Sequence, residues 1–190
     1  ANAGFVNINR PGSDVRGHWD PVGQHGYATR YPVRMRQTFA RAFYDEKLWT
    51  SDQDAIQLRR RDHTPWRAAA PHLSMGVFTE EEAFSTVLFR FLGGGIVQVS
   101  EKLDDLDQDR YDLYKMAIPT YAPVARRIYP WTEYLPEHFV SHFAGHKDLA
   151  PWAIVSLCNW NGGAAKKLGV KISDIPDLPK AAAYAAFEFR

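Results

Sequence analysis

The sequence of 190 residues contains one cysteine, Cys158, which excludes an internal disulfide and a cysteine-based zinc cluster. The sequence also lacks a charge excess, since 23 Lys and Arg residues face 22 Asp and Glu residues and leave a net charge of +1. Nucleic-acid-binding domains show a clustered basic excess, and electrostatic membrane anchors need one too. No apolar run reaches the roughly 18 residues that a membrane-spanning helix requires. We therefore expect neither a nucleic acid nor a membrane as partner, and a cytoplasmic location by default.

Apolar and aromatic residues are plentiful. Hydrophobic residues make up 45% of the chain and aromatic residues 14%, with 6 Trp and 9 Tyr. This content is typical of a folded chain of about one domain, and such aromatics suit a packed core as well as a carbohydrate-binding face. Residues 5–9 begin a strand pattern almost at once, and residues 184–190 end within an alternating pattern. We therefore expect a fragment, or one piece of a nicked chain, whose partner is the N-terminal remainder.

Strand and helix patterns alternate from residue 5 to residue 118. The second helix pattern begins with a capping box, because Thr79 is followed three positions later by Glu82. Strand, loop and helix recurring in this order indicate parallel βα units. The strands are predicted at 5–9, 48–50 and 96–100, and the helices at 32–47, 79–91 and 107–116.

The pattern changes after residue 118. Residues 119–150 are rich in Pro, Tyr and Trp and are interpreted as a connector, which divides the chain into units 1–118, 119–150 and 151–190. Strands are predicted at 152–160, 170–172 and 183–189, as in part of a β-sandwich.

Charged residues follow the predicted strands of the first unit. In parallel βα units, functional side chains gather where the strands end. The three strand ends contain Arg10 and Asp14, then Asp52 and Asp54, then Ser100 and Glu101. Glycoside hydrolysis needs one carboxylic acid to protonate the leaving oxygen and a second carboxylate as nucleophile or base. Acidic loop residues are also common as solvated caps and turn formers, so the pattern alone leaves both interpretations.

The order of these motifs resembles that of the α-galactosidase clan, glycoside hydrolase families 27 and 36. The segment 10–19, RPGSDVRGHW, has the Arg, the Asp four residues later and the following aromatic of that clan. The segment 48–55, LWTSDQDA, is similar to its Trp-Asn-Asp-Pro-Asp motif, with Ser for Asn and Gln for Pro. The segment 93–103, GGGIVQVSEKL, is similar to its last barrel strand, with Glu101 for Asp.

The resemblance implies an α/β fold, namely the C-terminal part of a (β/α)8 TIM barrel followed by part of an antiparallel β-sandwich. It implies a retaining hydrolase of terminal α-linked galactose, with an oligosaccharide or glycoside as substrate. Asp14 would be the general acid/base, and the substrate-binding residues would be Arg10, Trp19, Trp49 and Asp54. The nucleophile of the clan lies on an earlier strand, so this chain by itself is expected to be inactive.

Several alternatives stay open. Some family 36 branches place the acid/base in a Trp-Thr-Ser-Asp motif, which makes Asp52 an alternative acid/base or a supporting residue. The sugar could be a related one, such as an N-acetylgalactosaminide or an arabinopyranoside. The chain could also belong to a transglycosylase of the same clan, or be a non-catalytic carbohydrate-binding or structural module. The oligomeric state, including a homo-oligomer, is not determined by the sequence.

Two further motifs could suggest a metal site or a phosphate-binding loop. The histidines at 138, 142 and 146 would line one face of a helix, but no carboxylate completes a zinc motif around them. The glycines at 93–95 lack the Lys-Ser/Thr ending of a phosphate loop and precede a strand where a phosphate loop would precede a helix. We therefore expect no metal and no cofactor.

Overall fold

The computed structural model describes residues 5–12, 19, 31–60, 78–118, 125–129, 135–160 and 164–188. These residues form a mixed α/β structure with two small sheets and three α-helices. The strands are β1 Ile8–Asn9, β2 Thr50–Ile56, β3 Ile96–Val99, β4 Arg126–Arg127, β5 His138–Phe143 and β6 Trp152–Leu157. The helices are α1 Tyr31–Arg41, α2 Glu80–Gly93 and α3 Gln108–Met116.

The first sheet is parallel, with the strand order β1-β2-β3. Ile8 is opposite Thr50 in the first pair, and Asp52 is opposite Ile96 in the second. Helix α1 follows β1, α2 follows β2, and α3 follows β3. The predicted alternation of strand and helix is therefore confirmed, whereas three parallel strands among the described residues do not make a closed barrel.

Helix α2 begins with the predicted capping box. The Thr79 hydroxyl accepts a hydrogen bond from the Glu82 amide at 3.3 Å, and the Glu82 carboxylate accepts one from the Thr79 amide at 2.8 Å. The three glutamates of the first turn also offset the positive end of the helix dipole. Gly94 ends the helix with φ 62°, and Gly95 continues with φ 79°. A Cβ at Gly95 would lie 2.1 Å from the Ser51 carbonyl oxygen, so only glycine fits between α2 and β3.

Strand β2 differs from its prediction. The strand was expected at 48–50, but it runs from Thr50 to Ile56. Its polar sequence gave no strand signal, because Ser51 and Gln53 are buried and find hydrogen-bond partners on other elements. The Ser51 amide donates to the Asp45 carboxylate at 2.5 Å, and the Gln53 amide donates to the carbonyl of Gly94 at the end of α2.

The second sheet is antiparallel, with the order β4-β5-β6. Strand β6 confirms the core of the strand predicted at 152–160, while β4 and β5 lie inside the range interpreted as a connector. The strands predicted at 170–172 and 183–189 are wrong over the described residues 164–188, which contain a 3-10 helix at Ile172–Asp174 and no strand. Residues 181–188 are all exposed, and without a neighbouring strand an alternating pattern has no backbone partners.

An aromatic core connects the two sheets. Phe39 of α1 lies 4.5 Å from Phe139 of β5, measured between ring centroids. Phe89 of α2 stacks on Trp160, just after β6, at 4.5 Å and an interplanar angle of 7°. The Trp160 indole N–H donates to the Pro136 carbonyl at 2.8 Å, so its polar atom is satisfied inside the core. In the part of the chain that is described, no helix has the length and apolar character to cross a membrane.

Candidate functional site

Three of the residues predicted for the site meet at the end of β1. The parallel register pairs Asn9 with Ser51, so Arg10 lies beside Asp52. The Arg10 Nε is 3.1 Å from Asp52 Oδ2, and its Nη1 is 3.5 Å from Asp54 Oδ2. One guanidinium therefore bridges two carboxylates, and we call Arg10, Asp52 and Asp54 the Arg10 cluster.

The two carboxylates of the cluster are held by several donors. Asp52 Oδ1 accepts from the Asp54 amide at 2.7 Å and from the Gln98 side chain at 3.2 Å, while its Oδ2 accepts from Arg10. Asp54 Oδ1 accepts from the Ala55 amide at 2.7 Å. The side chains of Asp52 and Asp54 are 13% and 15% exposed, against 38% for Arg10. The guanidinium is therefore the most accessible part of the cluster.

A bulge in β2 places the two aspartates. The register with β3 shifts between Asp52 and Ala55, and Asp54 has φ 67°. Aspartate tolerates this left-handed conformation better than most residues, because its short side chain bonds locally to the backbone. Buried positions in β2 are Ser51 and Gln53 before the bulge and Ile56 after it. The extra residue thus shifts the buried positions from odd to even numbers. Sequence analysis missed the bulge, although the two polar Asp residues flanking Gln53 were a signal.

Two buried arginines hold the backbone of the bulge. Arg34 of α1 and Arg90 of α2 are both fully buried. Arg34 Nη2 donates to the Asp52 carbonyl at 3.1 Å. Arg90 donates to the Gln53 carbonyl and, at 3.0 Å, to the Ala55 carbonyl. The backbone carbonyls at the bulge, where the regular ladder is interrupted, therefore accept hydrogen bonds from guanidinium groups.

The buried charges are not all compensated. Among the described residues, Arg34 Nε and Nη1 and Arg90 Nε have no hydrogen-bond partner. Burial, followed by the neighbouring Arg90 charge, lowers the pKa of Arg34 to about 10, and the carboxylates of Asp54 and Asp52 oppose that decrease. Arg34 is thus protonated at neutral pH, and its positive charge interacts with the carboxylates of Asp52 and Asp54. The sequence of α1 gave no sign that Arg34 would be buried.

Glu101, which stands where the resembled clan has an Asp, is held by contacts with neighbouring protein groups. Its side chain is 3% exposed and pairs with Arg59, whose Nε lies 2.8 Å from Oε2. Its Oε1 accepts from the Leu58 amide and, at 3.0 Å, from the Arg59 amide. Ser100 donates its amide to the Ile56 carbonyl at 3.1 Å. Both residues therefore connect the end of β3 to the end of β2.

The two tryptophans predicted to bind substrate have protein partners. Trp19 stacks with Tyr31 at 5.5 Å, with Phe89 at 6.2 Å and with Trp160 at 6.2 Å, so it belongs to the aromatic core. Trp49 precedes β2 and packs on Tyr44 at 5.0 Å. These contacts give both rings packing partners outside the Arg10 cluster.

The remaining predicted positions are Asp14 and the three spaced histidines. Asp14 lies outside the described residues. His138 and His142 lie in strand β5, not on a helix, and His146 forms a β-bridge with Leu149. Over the ranges that the structure describes, no group of three or more His, Cys, Asp or Glu side chains could hold a metal ion.

A scan against protein-family models finds no match for this chain, and a search of curated proteins finds none either.

Proposed function

We propose that the chain forms the acid/base half of the active site of a retaining, α-galactosidase-like glycoside hydrolase. The observation that carries this proposal is the contact of one half-exposed guanidinium, that of Arg10, with both Asp52 and Asp54 at the end of a parallel strand. Functional side chains of parallel βα units gather at such strand ends. We further propose that β1 to β3 with their helices are the last units of a (β/α)8 barrel, and that β4 to β6 begin the β-sandwich.

The contacts within the cluster favour distinct roles for its members. Asp52 accepts hydrogen bonds on both oxygens, which suits a carboxylate that orients its neighbours. An acid that protonates a leaving group needs a free oxygen directed at the substrate. We therefore assign Asp52 and Asp54 to positioning Arg10, Arg10 to binding sugar hydroxyls, and Asp14 to the acid/base role.

The proposed reaction has two steps. In the first, the Asp14 carboxylic acid protonates the glycosidic oxygen while a nucleophilic carboxylate forms a bond to the anomeric carbon and the aglycone leaves. In the second, the Asp14 carboxylate takes a proton from water, whose oxygen displaces the nucleophile and restores the original configuration. In the clan that the sequence resembles, the nucleophile lies on a barrel strand earlier than residue 1.

The test compares leaving groups in a protein in which this chain is joined to a barrel strand that supplies the proposed nucleophile. Asp14→Ala should reduce kcat/KM for an unactivated α-galactoside by at least about a hundredfold, as expected for the loss of a general acid. An activated dinitrophenyl α-galactoside needs no protonation, so its bond-cleaving step should be far less affected. Added azide should speed the second step and yield a galactosyl azide of retained configuration.

Asp52→Asn is the matched comparison. It keeps the shape of the side chain, and by weakening the hold on Arg10 it should raise KM for both substrates to a similar extent. If Asp52→Asn shows the leaving-group dependence and Asp14→Ala does not, the acid/base role belongs to Asp52. If the unsubstituted protein binds galactosides without any turnover, the non-catalytic alternative replaces the hydrolase proposal.

A further inference from the structure

The second sheet contains a cavity remote in sequence from the Arg10 cluster. Its volume is about 400 Å³, within the range of roughly 300–1,000 Å³ that small-molecule sites occupy. Strands β4, β5 and β6 and the segment after β6 all contribute to its lining. The aromatic and ionisable side chains of the lining are those of Arg126, His142, Phe143, Trp152 and Asp177.

The apolar part of this cavity includes a stacked aromatic pair. Phe143 and Trp152 are opposite each other in the β5–β6 register, and their rings lie 4.1 Å apart at 9°. Trp152 is nevertheless 42% exposed. A tryptophan supported from one side by another ring is a rigid platform, and a ligand with a flat apolar face can stack on it at little cost in side-chain entropy.

The polar part offers donors and an acceptor together. Arg126 is opposite Val140 on β5, and its guanidinium pairs with the carboxylate of Asp177. His142 lies two residues after Val140 and so projects to the same side of the strand. Its Nε2 is buried and has no hydrogen-bond partner in the described part of the chain. Because this atom has almost no accessible surface, a ligand in the cavity does not reach it, and the polar contacts on offer come from Arg126 and Asp177.

We propose that this cavity binds a neutral pyranose sugar, stacked on Trp152 and hydrogen-bonded to Arg126 and Asp177. The two charges disfavour charged ligands, because Asp177 repels an anion and Arg126 repels a cation. A purely apolar ring would remove water from the Arg126–Asp177 ion pair without replacing its hydrogen bonds. A sugar has an apolar C–H face, and its hydroxyl groups both donate and accept. This inference does not rest on the proposed hydrolase function.

The experiment titrates the full chain with methyl α-D-galactopyranoside and methyl α-D-glucopyranoside, followed by the indole N–H signals in NMR spectra. We expect saturable binding with a Kd on the order of 1 mM, with the largest shift at the Trp152 signal. Trp152→Ala and Asp177→Asn should each weaken binding by about tenfold or more, a loss of about 1.4 kcal/mol. Asp177 is 71% exposed and has φ 55°, which Asn tolerates, so this variant should remain folded.

Two controls separate this site from others. Phe187→Ala removes a 91% exposed ring from the same C-terminal segment and should leave the affinity unchanged. The affinity reported by the Trp152 signal in Asp52→Asn should equal that of the native chain even where galactoside binding at the Arg10 cluster is weakened, so that a failure of one site is not mistaken for a failure of the other. Absence of saturable binding by the native chain overturns the proposal. So does equal affinity of native protein and both cavity variants, or tighter, competing binding of indole, which has no hydroxyl groups.

Discussion

Replacing the two buried arginines one at a time should have unequal effects on stability. Both guanidinium groups are fully buried and contact the β2 bulge, yet their hydrogen bonding differs. Arg90 donates to two carbonyls and leaves one nitrogen unpaired, whereas Arg34 donates to one carbonyl and leaves two nitrogens unpaired among the described residues. We therefore compare Arg90→Met with Arg34→Met, two changes that keep a long apolar side chain and remove the charge.

The magnitudes follow from the value of each contact. A hydrogen bond from a charged donor contributes ~1.5–3 kcal/mol, and an unpaired buried polar group costs ~1–3 kcal/mol. In Arg34→Met the relief of two unpaired nitrogens, ~2–6 kcal/mol, matches or exceeds the lost bond of ~1.5–3 kcal/mol, so the free energy of unfolding should decrease by no more than ~1 kcal/mol. In Arg90→Met two bonds are lost against one relieved nitrogen, and the contact of Arg90 with the Tyr31 ring at 5.8 Å is lost as well. A decrease of about 3 kcal/mol is expected there.

Equilibrium unfolding in urea measures both changes, with the slope m checked for constancy so that the midpoint reports stability. A decrease of about 3 kcal/mol is a large part of the ~5–15 kcal/mol that stabilises a typical domain, so the Arg90 effect should be readily seen. If Arg34→Met lowers stability as much as Arg90→Met, the unpaired nitrogens of Arg34 are satisfied in solution and the reasoning fails. Arg34→Lys serves as a control that keeps the charge.

Three further predictions concern local features. Thr79→Ala should lower stability by about 1 kcal/mol because it removes the cap of α2, while Thr79→Ser should retain it; equal unfolding midpoints for the two variants would contradict the capping role. Asp54→Val should cost ~1–2 kcal/mol more than Asp54→Asn in the same assay, since a β-branched residue resists the φ of 67°; no difference would mean that the bulge relaxes. Burial, aided by the Glu137 charge, raises the pKa of Cys158 from 9.0 to about 12, so stability should fall as pH rises above 9.0, where only the unfolded thiol ionises. Native protein should accordingly resist a thiol reagent at pH 9 and react with one equivalent in urea, and rapid labelling without urea would disprove the burial argument.

Elements with a strong local signal could be predicted from the sequence. The capping box at Thr79 defined the start of α2, and the helix before Pro119 corresponds to α3. The apolar run after the glycines became β3. In each case the residues themselves satisfy the backbone at the end of the element, or form its apolar face, without help from distant parts of the chain.

Elements stabilised by distant partners could not be predicted. Strand β2 is polar, and its Ser51 and Gln53 are acceptable in a buried strand only because Asp45 and the end of α2 supply partners. The alternating pattern at 183–189 predicted a strand but did not form one, since no neighbouring strand among the described residues pairs with it. A periodic pattern records which side chains suit a strand, and it carries no information on whether a partner is present.

The Arg10 cluster was anticipated only in part. The proximity of Arg10 to Asp52 and Asp54 follows from parallel strands ending at one edge, which the sequence pattern indicated. The packing of Trp19 against Tyr31, Phe89 and Trp160 did not follow from it, because a tryptophan near a charged motif looks the same whether it faces the core or a ligand.

The β2 bulge also determines how this strand can change during evolution. Before it the buried positions are odd-numbered, and at Ile56 they become even-numbered. Deleting Asp54 would restore strict alternation and leave Ile56 in phase with Ser51 and Gln53, so the core would keep its apolar residue while Arg10 would lose one of its two carboxylates. Inserting a further residue would instead turn Ile56 to the opposite face. The extra residue of the bulge therefore serves the Arg10 cluster and not the core, and its loss should be tolerated by the fold while changing the cluster.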